Sequence, residues 1–523
     1  MLLILLSLSL FTSANSYNYL IFCPLFGHSH TTFFGKIADT LTDAGHNVTF
    51  FTPTIIDRFR NISYTKSTKD VIHLEADETL SQIGALLDSK DTSRFWSDDS
   101  SLSEILPMIQ LFERMFAAQS EVLKRNIDLL DQLKARKYDV FIFESIVDCA
   151  YPLLDYLEIE TYLPAVSLAF DPNLSNAIGE PLMASTVGLP LSKSGDRLGF
   201  MERLSNIVAP PIFDALLGQV PTRSYRYPYK IINPRDFHPH APFVFVNSNP
   251  YLDFPRPLLA KTVQIGGISV DMKRLRSGKV DQYWDTVLNK RKHTVLVSFG
   301  SVIFSKDMPM SYKMAISIAM KNMGEVTFIW KYEDDDTSFV NNTPNIEFSK
   351  WVPQTALLAD DRLTAFMTHA GLGSINEVSY LGKPSVICPL FADQMRNAKM
   401  LCRHNGSIEI SKYDLSNSQL IQNALDTIIN DKSYQLSAIK LSKQLNNQPI
   451  KPYELLIKHA EFAAQFGRLP SLDPYSRQMS FAQYFLIDVI TTTIITISIA
   501  LVITYRIVRK MVQLVRGKKT KND

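Results

Sequence analysis

The spacing of apolar residues along the chain changes period several times. "YLIFCPL" is a short unbroken apolar run, the pattern of a strand buried on both faces. "TTFFGKIADTLTDAGH" then sets apolar residues at helical spacing and predicts a helix from near Thr31 that Gly45 stops. "NVTFF" predicts the next strand, so the three pieces form a βαβ unit, the crossover that parallel strands require. "LPMIQLFERMFAAQSEVLKRNIDLLDQL" predicts one long helix, "YDVFIFES" a strand ending in a carboxylate, and "YLPAVSLAF" a further strand. Residues 173–235 are Pro-rich and irregular in pattern, with helical patches, before "FVFVNSNPYLDFPRP" gives a strand running into a turn.

From His293 the alternation restarts with "HTVLVSFGS" (strand), "MSYKMAISIAMKNM" (helix), "VTFIWKY" and "LTAFMTHA" (strands), "SINEVSYLG" (helix), "PSVICPL" (strand) and "QMRNAKMLCRH" (helix). Two α/β halves joined through "GGISVDMKRLRSGKVDQ" predict two doubly wound, Rossmann-like domains facing a cleft. Their expected bounds are 17–270 and 285–450, with connecting helices over 451–484. In such sheets ligands sit beyond the carboxyl ends of the strands. The candidate loops are therefore those after "FCPL", "FIFE", "LVSFGS", "FMTH" and "VICPL".

Both ends carry targeting patterns. Residues 1–16 are apolar and then small, ending in Ala14-Asn15-Ser16, the pattern of a cleaved signal peptide. Residues 485–505 hold one charge, Asp488, and as a helix reach about 30 Å, enough to cross a bilayer. Residues 506–523 are rich in Lys and Arg, which marks a cytosolic basic tail and a single-pass type I protein with its body in the lumen. Lys519 and Lys521 resemble a dilysine retrieval signal and point to the endoplasmic reticulum membrane. Asn61, Asn173, Asn341 and Asn405 are candidate glycosylation sites, while Asn47 falls in an expected buried strand and is set aside. The net charge of +2, without a basic stripe bearing aromatics, excludes nucleic acid as a partner class. The 4 cysteines are far apart and suggest neither a zinc site nor a disulfide framework.

"TAFMTHAGLGSINEV" reads as strand, turn and helix. His369 ends the strand, Gly371 and Gly373 allow close backbone approach, and the helix N-terminus offers free N–H groups, a setting that suits a diphosphate. The surrounding stretch 351–398 strongly resembles the signature of the UDP-glycosyltransferases, the family of lumenal, membrane-anchored UDP-glucuronosyltransferases. The resemblance extends over nearly the whole chain, through "GHSH…AGHNVT", "FVNSNPYLDFPRP…QIGGI", "LVSFGS", the apolar span and the basic tail.

That resemblance implies a GT-B fold and an inverting transfer, with the acceptor in the first domain and UDP-sugar in the second. UDP-sugar is then a co-substrate, and no resident cofactor is implied. It also implies that Trp351 stacks on uracil, Gln354 bonds in the nucleoside pocket and Glu377 accepts from the ribose. Thr368, His369 and the N–H groups near Gly371, Gly373 and Ser374 meet the diphosphate, with Ser301 beside them; Asp393 and Gln394 hold donor-sugar hydroxyls. Arg256 matches an arginine common in the family, and a salt bridge tying its turn is as good an account of it as a donor contact. Many vertebrate members read Gly-Gly-Ala-Asn-Gly after the signature His, where this chain reads Ala370-Gly371-Leu372-Gly373-Ser374, so phosphate contact rests on backbone and Ser374.

Transfer to a hydroxyl needs a base, and a neutral imidazole suits the task. His28 and His30 both precede the predicted helix, and local pattern does not separate them. The resemblance selects His30, the His of a Ser-His pair before Gly45-His46; His28 then lines the pocket mouth and His46 is structural. The orienting carboxylate is expected to be Glu144, where many vertebrate members have Asp, with Asp148 as the other candidate. The Asp-x-Asp in "YEDDDT" reads as a solvated loop rather than a metal site, and no metal is expected. The implied activity moves glucuronate or glucose to a small lipophilic acceptor, as in detoxification. A non-catalytic UDP-sugar-binding lumenal partner and transfer to a membrane lipid are the alternatives, and homo- or hetero-oligomers stay open.

Overall fold

The computed structural model describes residues 16–88, 92–97, 102–190, 192–217, 222–225, 230–270, 280–340 and 343–519. The expected signal peptide up to residue 15, Asn341, Lys521 and most of the stretch joining the two halves lie outside the described residues.

The first half builds a seven-stranded sheet from β1 (Asn18–Phe22), β2 (Asn47–Pro53), β3 (Asp70–Leu74), β4 (Val140–Glu144), β5 (Thr161–Val166), β8 (Val244–Val246) and β9 (Thr262–Gln264). β6 (Thr222–Arg223) and β7 (Ile231–Ile232) form a small antiparallel ribbon apart from it. The sheet order is β3-β2-β1-β4-β5-β8-β9, parallel throughout. The second half builds a six-stranded parallel sheet from β10 (His293–Ser298), β11 (Val326–Lys331), β12 (Ile346–Ser349), β13 (Leu363–Thr368), β14 (Ser385–Ile387) and β15 (Ser407–Glu409), ordered β12-β11-β10-β13-β14-β15. Strand order reverses between β1 and β4 and again between β10 and β13. Those are the switch points where a doubly wound sheet opens a crevice.

The unbroken apolar runs are central strands covered on both faces: every residue of β4 and all but the first of β1 are buried. The first helix runs His28–Asp43, so it starts earlier than Thr31 and carries both site histidines in its opening turn. Gly45 follows its end at φ +95°, a left-handed conformation that glycine adopts without strain. The expected long helix is two, Leu102–Arg125 and Ile127–Ala135, parted at Asn126, whose ψ of 45° leaves the helical region. Asn47 begins β2 and is exposed, with its amide donating to Asn18 Oδ1 at 3.0 Å; setting it aside as buried is therefore corrected. Asn61, Asn173 and Asn405 are exposed as well.

Two cross-connections lock the halves together. The helix Pro452–Phe466 returns to the first lobe, where Leu456, Ala460 and Ala463 are fully buried in the core with β1 and β4 residues. In the other direction, Trp96 of the first half is buried among second-half residues and donates from Nε1 to Phe304 O at 3.2 Å. Thr92 supports it through Asp307 Oδ2 at 2.8 Å. Beyond the second lobe a single helix, Ile487–Lys519, continues through much of the basic tail, and its part Ile487–Leu514 is long and apolar enough to cross a membrane and is unburied.

Leu456→Ala empties a fully buried site at the return helix. It is expected to cost about 2–5 kcal/mol, read as a clear fall in the thermal midpoint. An unchanged midpoint contradicts the placement of this helix in the first core.

Candidate active site

In the first lobe three side chains converge beyond the sheet. Parallel pairing sets Phe22 of β1 beside Phe143 of β4, so the turn after β1 and the last residue of β4 leave the sheet at one edge. His30 Nδ1 lies 2.8 Å from Glu144 Oε2 and 2.6 Å from Ser167 Oγ. The Ser167 N–H donates to Glu144 Oε1 at 3.4 Å. The Glu144 side chain is fully buried, while His30 keeps 19% exposure toward the cleft. Of the two carboxylates considered for His30, Glu144 makes this contact. Ser167 follows β5 and was not singled out by sequence reasoning; its only signal is a hydroxyl directly after a buried strand.

Around His30 the walls are aromatic. Phe26 packs on the imidazole with centroids 4.7 Å apart, and Phe112 and Phe116 from the helix Leu102–Arg125 meet Phe26 edge-on at 6.3 and 5.5 Å. His28, expected at the pocket mouth, is half-buried on the cleft side of the first lobe. It packs against Phe59 and Tyr64, with Nδ1 3.2 Å from the Tyr64 hydroxyl, and stands edge-on to Trp351 of the other lobe at 6.3 Å. Burial and the nearby Arg58 charge hold its pKa below the usual histidine range. His46 is buried, with Nε2 3.3 Å from Glu461 Oε1.

In the second lobe the helix Leu372–Leu381 begins after β13 with Gly371 as its N-cap, and no side chain caps it. The N–H groups of its first turn are thus open to an anion. His369 lies in the turn between, held by two glycines. A Cβ at Gly371 would sit 2.5 Å from His369 Nε2, and one at Gly300 would sit 2.6 Å from Cε1. Gly371 is therefore needed by the histidine itself, whereas a Cβ on Gly373 would meet open space. Burial, and then the Lys331 charge, push the His369 pKa down to about 4. Thr368, the last residue of β13, is fully buried, and Ser301 is half-buried after β10.

Trp351 is 61% exposed at the cleft, with Lys331 Nζ 5.8 Å from its ring centre. Lys331 ends β11 and donates to Gly300 O at 2.9 Å; this buried cation was also missed by sequence reasoning, although a lysine closing an apolar strand was its signal. Gln354 Nε2 donates to Glu377 Oε2 at 2.6 Å and to Ser374 Oγ at 3.0 Å, and the Thr355 hydroxyl bonds the other Glu377 oxygen. Ser374 is thereby turned toward Gln354. Burial raises the Glu377 pKa, opposed by the Thr355 and Gln354 bonds. Asp393 takes the Asn397 amide at 2.8 Å. Its pKa is raised by burial, opposed by Asn397 and by attraction to His30 across the cleft. Gln394 spends Oε1 on the N–H groups of Leu390 and Phe391, leaving its amide nitrogen for a ligand. Arg256 is ion-paired with buried Glu180, the salt bridge considered for it. Asp334 and Asp336 sit in an exposed loop, and among the described residues no group of three His, Cys, Asp or Glu side chains is arranged to hold a metal.

Solved structures share this architecture. A crystal structure of Os79 from O. sativa with U2F and trichothecene superposes at TM-score 0.60 and 16% identity over 86% of this chain and all of that one. A Phytolacca americana UGT2 structure complexed with UDP-2fluoro-glucose and pterostilbene matches at TM-score 0.57 and 15% identity, again over 86% of this chain and all of that one. Two parallel sheets facing one cleft, in that company, give this chain the GT-B fold. The family model described as UDP-glucoronosyl and UDP-glucosyl transferase matches residues 21–522, and the chain belongs to that family. It is a UDP-glycosyltransferase that uses a UDP-sugar donor. Human UDP-glucuronosyltransferase 1A1 is 27% identical over 79% of this chain and 77% of its own length. A putative Caenorhabditis elegans UDP-glucuronosyltransferase, ugt-48, is 25% identical over 91% of both.

The low His369 pKa has a thermodynamic consequence. Between about 4 and 6.5 the unfolded chain binds a proton at this site that the folded chain refuses, so stability rises with pH across that window and is complete above it. His369→Gln is expected to flatten the pH dependence of the thermal midpoint over that window relative to the wild type. Parallel curves contradict a buried neutral imidazole.

Proposed function

We propose that this chain is an inverting hexosyltransferase that carries glucuronate or glucose from UDP-sugar to a hydroxyl of a small lipophilic acceptor. The observation that carries the reading is the grip on His30 Nδ1, held by Glu144 at 2.8 Å and Ser167 at 2.6 Å. An ionised carboxylate only accepts, so Nδ1 carries the ring proton and Nε2 keeps a lone pair. Among the described residues Nε2 has no hydrogen-bond partner. It takes the acceptor's proton as the oxygen attacks the anomeric carbon from the side opposite UDP; the new C–O bond forms as the bond to the diphosphate breaks, and UDP leaves. Glu144 steadies the imidazolium as it forms. Glu144 and Ser167 are positioning residues.

In this reading Trp351 stacks the base beside Gln354, and Glu377 takes the ribose. The diphosphate lies against Thr368, His369, Ser301 and the first-turn N–H groups. Asp393 and the Gln394 amide hold the sugar facing His30. Phe26, Phe112 and Phe116 favour a lipophilic acceptor. The helix from Ile487 anchors the enzyme in the endoplasmic reticulum membrane with both lobes lumenal. Relatives named UDP-glucuronosyltransferases favour glucuronate, and the plant complex with UDP-2fluoro-glucose and pterostilbene keeps glucose in view.

His30→Ala is expected to lower kcat about 10²–10⁴-fold while UDP affinity stays at the wild-type value. Glu144→Gln should fall between the two enzymes, because an amide still holds the ring but stabilises imidazolium poorly. If His30→Ala turns over near the wild-type rate, the base is elsewhere.

A further inference from the structure

Over residues 200–208 the helix Phe200–Leu217 presents apolar side chains outward. At about 100° per residue, Phe200, Met201, Leu204, Ile207 and Val208 fall within an arc of about 120°. All five are exposed, from 44% at Ile207 to 73% at Met201. The residue pointing inward is polar: Asn206 is buried opposite the stripe, donating to Ala184 O at 3.1 Å and Val187 O at 2.8 Å. A helix on the surface of a water-soluble domain has the reverse arrangement. Single exposed apolar residues need no account, but a contiguous stripe does.

Its neighbours indicate what covers it. The helix packs on the short helix Pro172–Ala177. Just past that short helix, Gly179 O accepts from Ser476 Oγ at 3.2 Å, and a Cβ at Gly179 would lie 2.4 Å from the Arg477 side chain. Ser476 and Arg477 belong to the strap that leads into the span at Ile487, and the strap is fixed to the first lobe by Lys261 Nζ on Asp473 at 2.6 Å. On its outer side the strap exposes Tyr475 and Phe481. The stripe and the start of the span thus flank one small patch of the first lobe. An amphipathic helix with its apolar face outward, beside aromatic residues at the head of a membrane span, is the arrangement of a helix lying in the lipid interface.

We infer that the outward stripe of Phe200, Met201, Leu204, Ile207 and Val208, together with Tyr475 and Phe481, rests in the headgroup region of the bilayer that holds the C-terminal span; this builds on the anchoring proposed above. It gives the first lobe a second attachment and fixes the tilt of the cleft over the membrane.

The test uses the full chain in phosphatidylcholine nanodiscs, with and without spin-labelled quencher lipids. Bimane is placed through Met201→Cys or Leu204→Cys, through Ile499→Cys within the span, and through Leu436→Cys on an exposed helix of the second lobe. Cys23, Cys149 and Cys388 are buried, so replacing Cys402 by Ser leaves one reactive thiol. Headgroup-proximal quenchers are expected to dim positions 201 and 204 several-fold more than position 436, and deep quenchers to dim 499. Positions 201 and 204 matching 436 while 499 is quenched overturns the inference and leaves the anchor standing. Shielding of 201 from aqueous iodide without lipid quenching means a second copy covers the stripe, and also overturns it. An unquenched 499 removes the anchor and the inference together.

Discussion

The site depends on strands that run parallel and end at one edge. Because β1 lies between β2 and β4, and β4 between β1 and β5, the turn after β1, Glu144 at the end of β4 and Ser167 after β5 emerge side by side. Glu144 and Ser167, each more than a hundred positions from His30 in sequence, thereby share its Nδ1. The second sheet repeats the device. Ser298 of β10 pairs with Thr368 of β13, which brings the Gly300 turn against His369 and the following helix N-terminus. Hydrophobic burial of the strands supplies the stability, and their shared polarity supplies the geometry.

The cleft between the lobes is set by contacts from both directions. The return helix Pro452–Phe466 commits the C-terminal part of the chain to the first core, and Trp96 commits part of the first half to the second core. At the centre a buried pair, Arg396 with Asp253 at 2.7 Å, joins the donor-side helix to the first half. Removing one partner of such a pair leaves a charge in a poorly solvated place, so breaking the contact is costly even where the intact pair adds little net stability. His28 and Trp351, edge to face across the same cleft, mark where the first lobe comes closest to the ring proposed to stack the base.

Periodicity made both sheets and most crossover helices readable, because continuous apolar runs and 3.6-residue spacing are local properties. The break at Asn126 was not readable, since the apolar spacing continues through it and only a backbone departure marks it. Nor was the return of Pro452–Phe466 to the first core, which is a tertiary choice. In the site, His30 could be told from His28 only through a family resemblance. Their neighbours come from Glu144, Ser167, Tyr64 and Trp351, which no local pattern connects to them. Gly371 was read as room for a ligand, and the structure adds that the His369 ring needs that room. Residues 200–217 looked like part of an irregular stretch. Their amphipathic spacing was present, but which side faces the protein depends on Asn206 finding Ala184 and Val187.

The central claim is that His30 Nε2 removes the acceptor's proton. Acceptor ionisation tests it most directly, by comparing His30→Ala with the wild type on 4-nitrophenol, at a pH where the phenol is already ionised, and on an aliphatic alcohol that is not. The account predicts a large loss with the alcohol and a much smaller one with the phenolate, which brings no proton to remove. Equal losses on both acceptors would contradict it and make His30 a group that positions the acceptor instead.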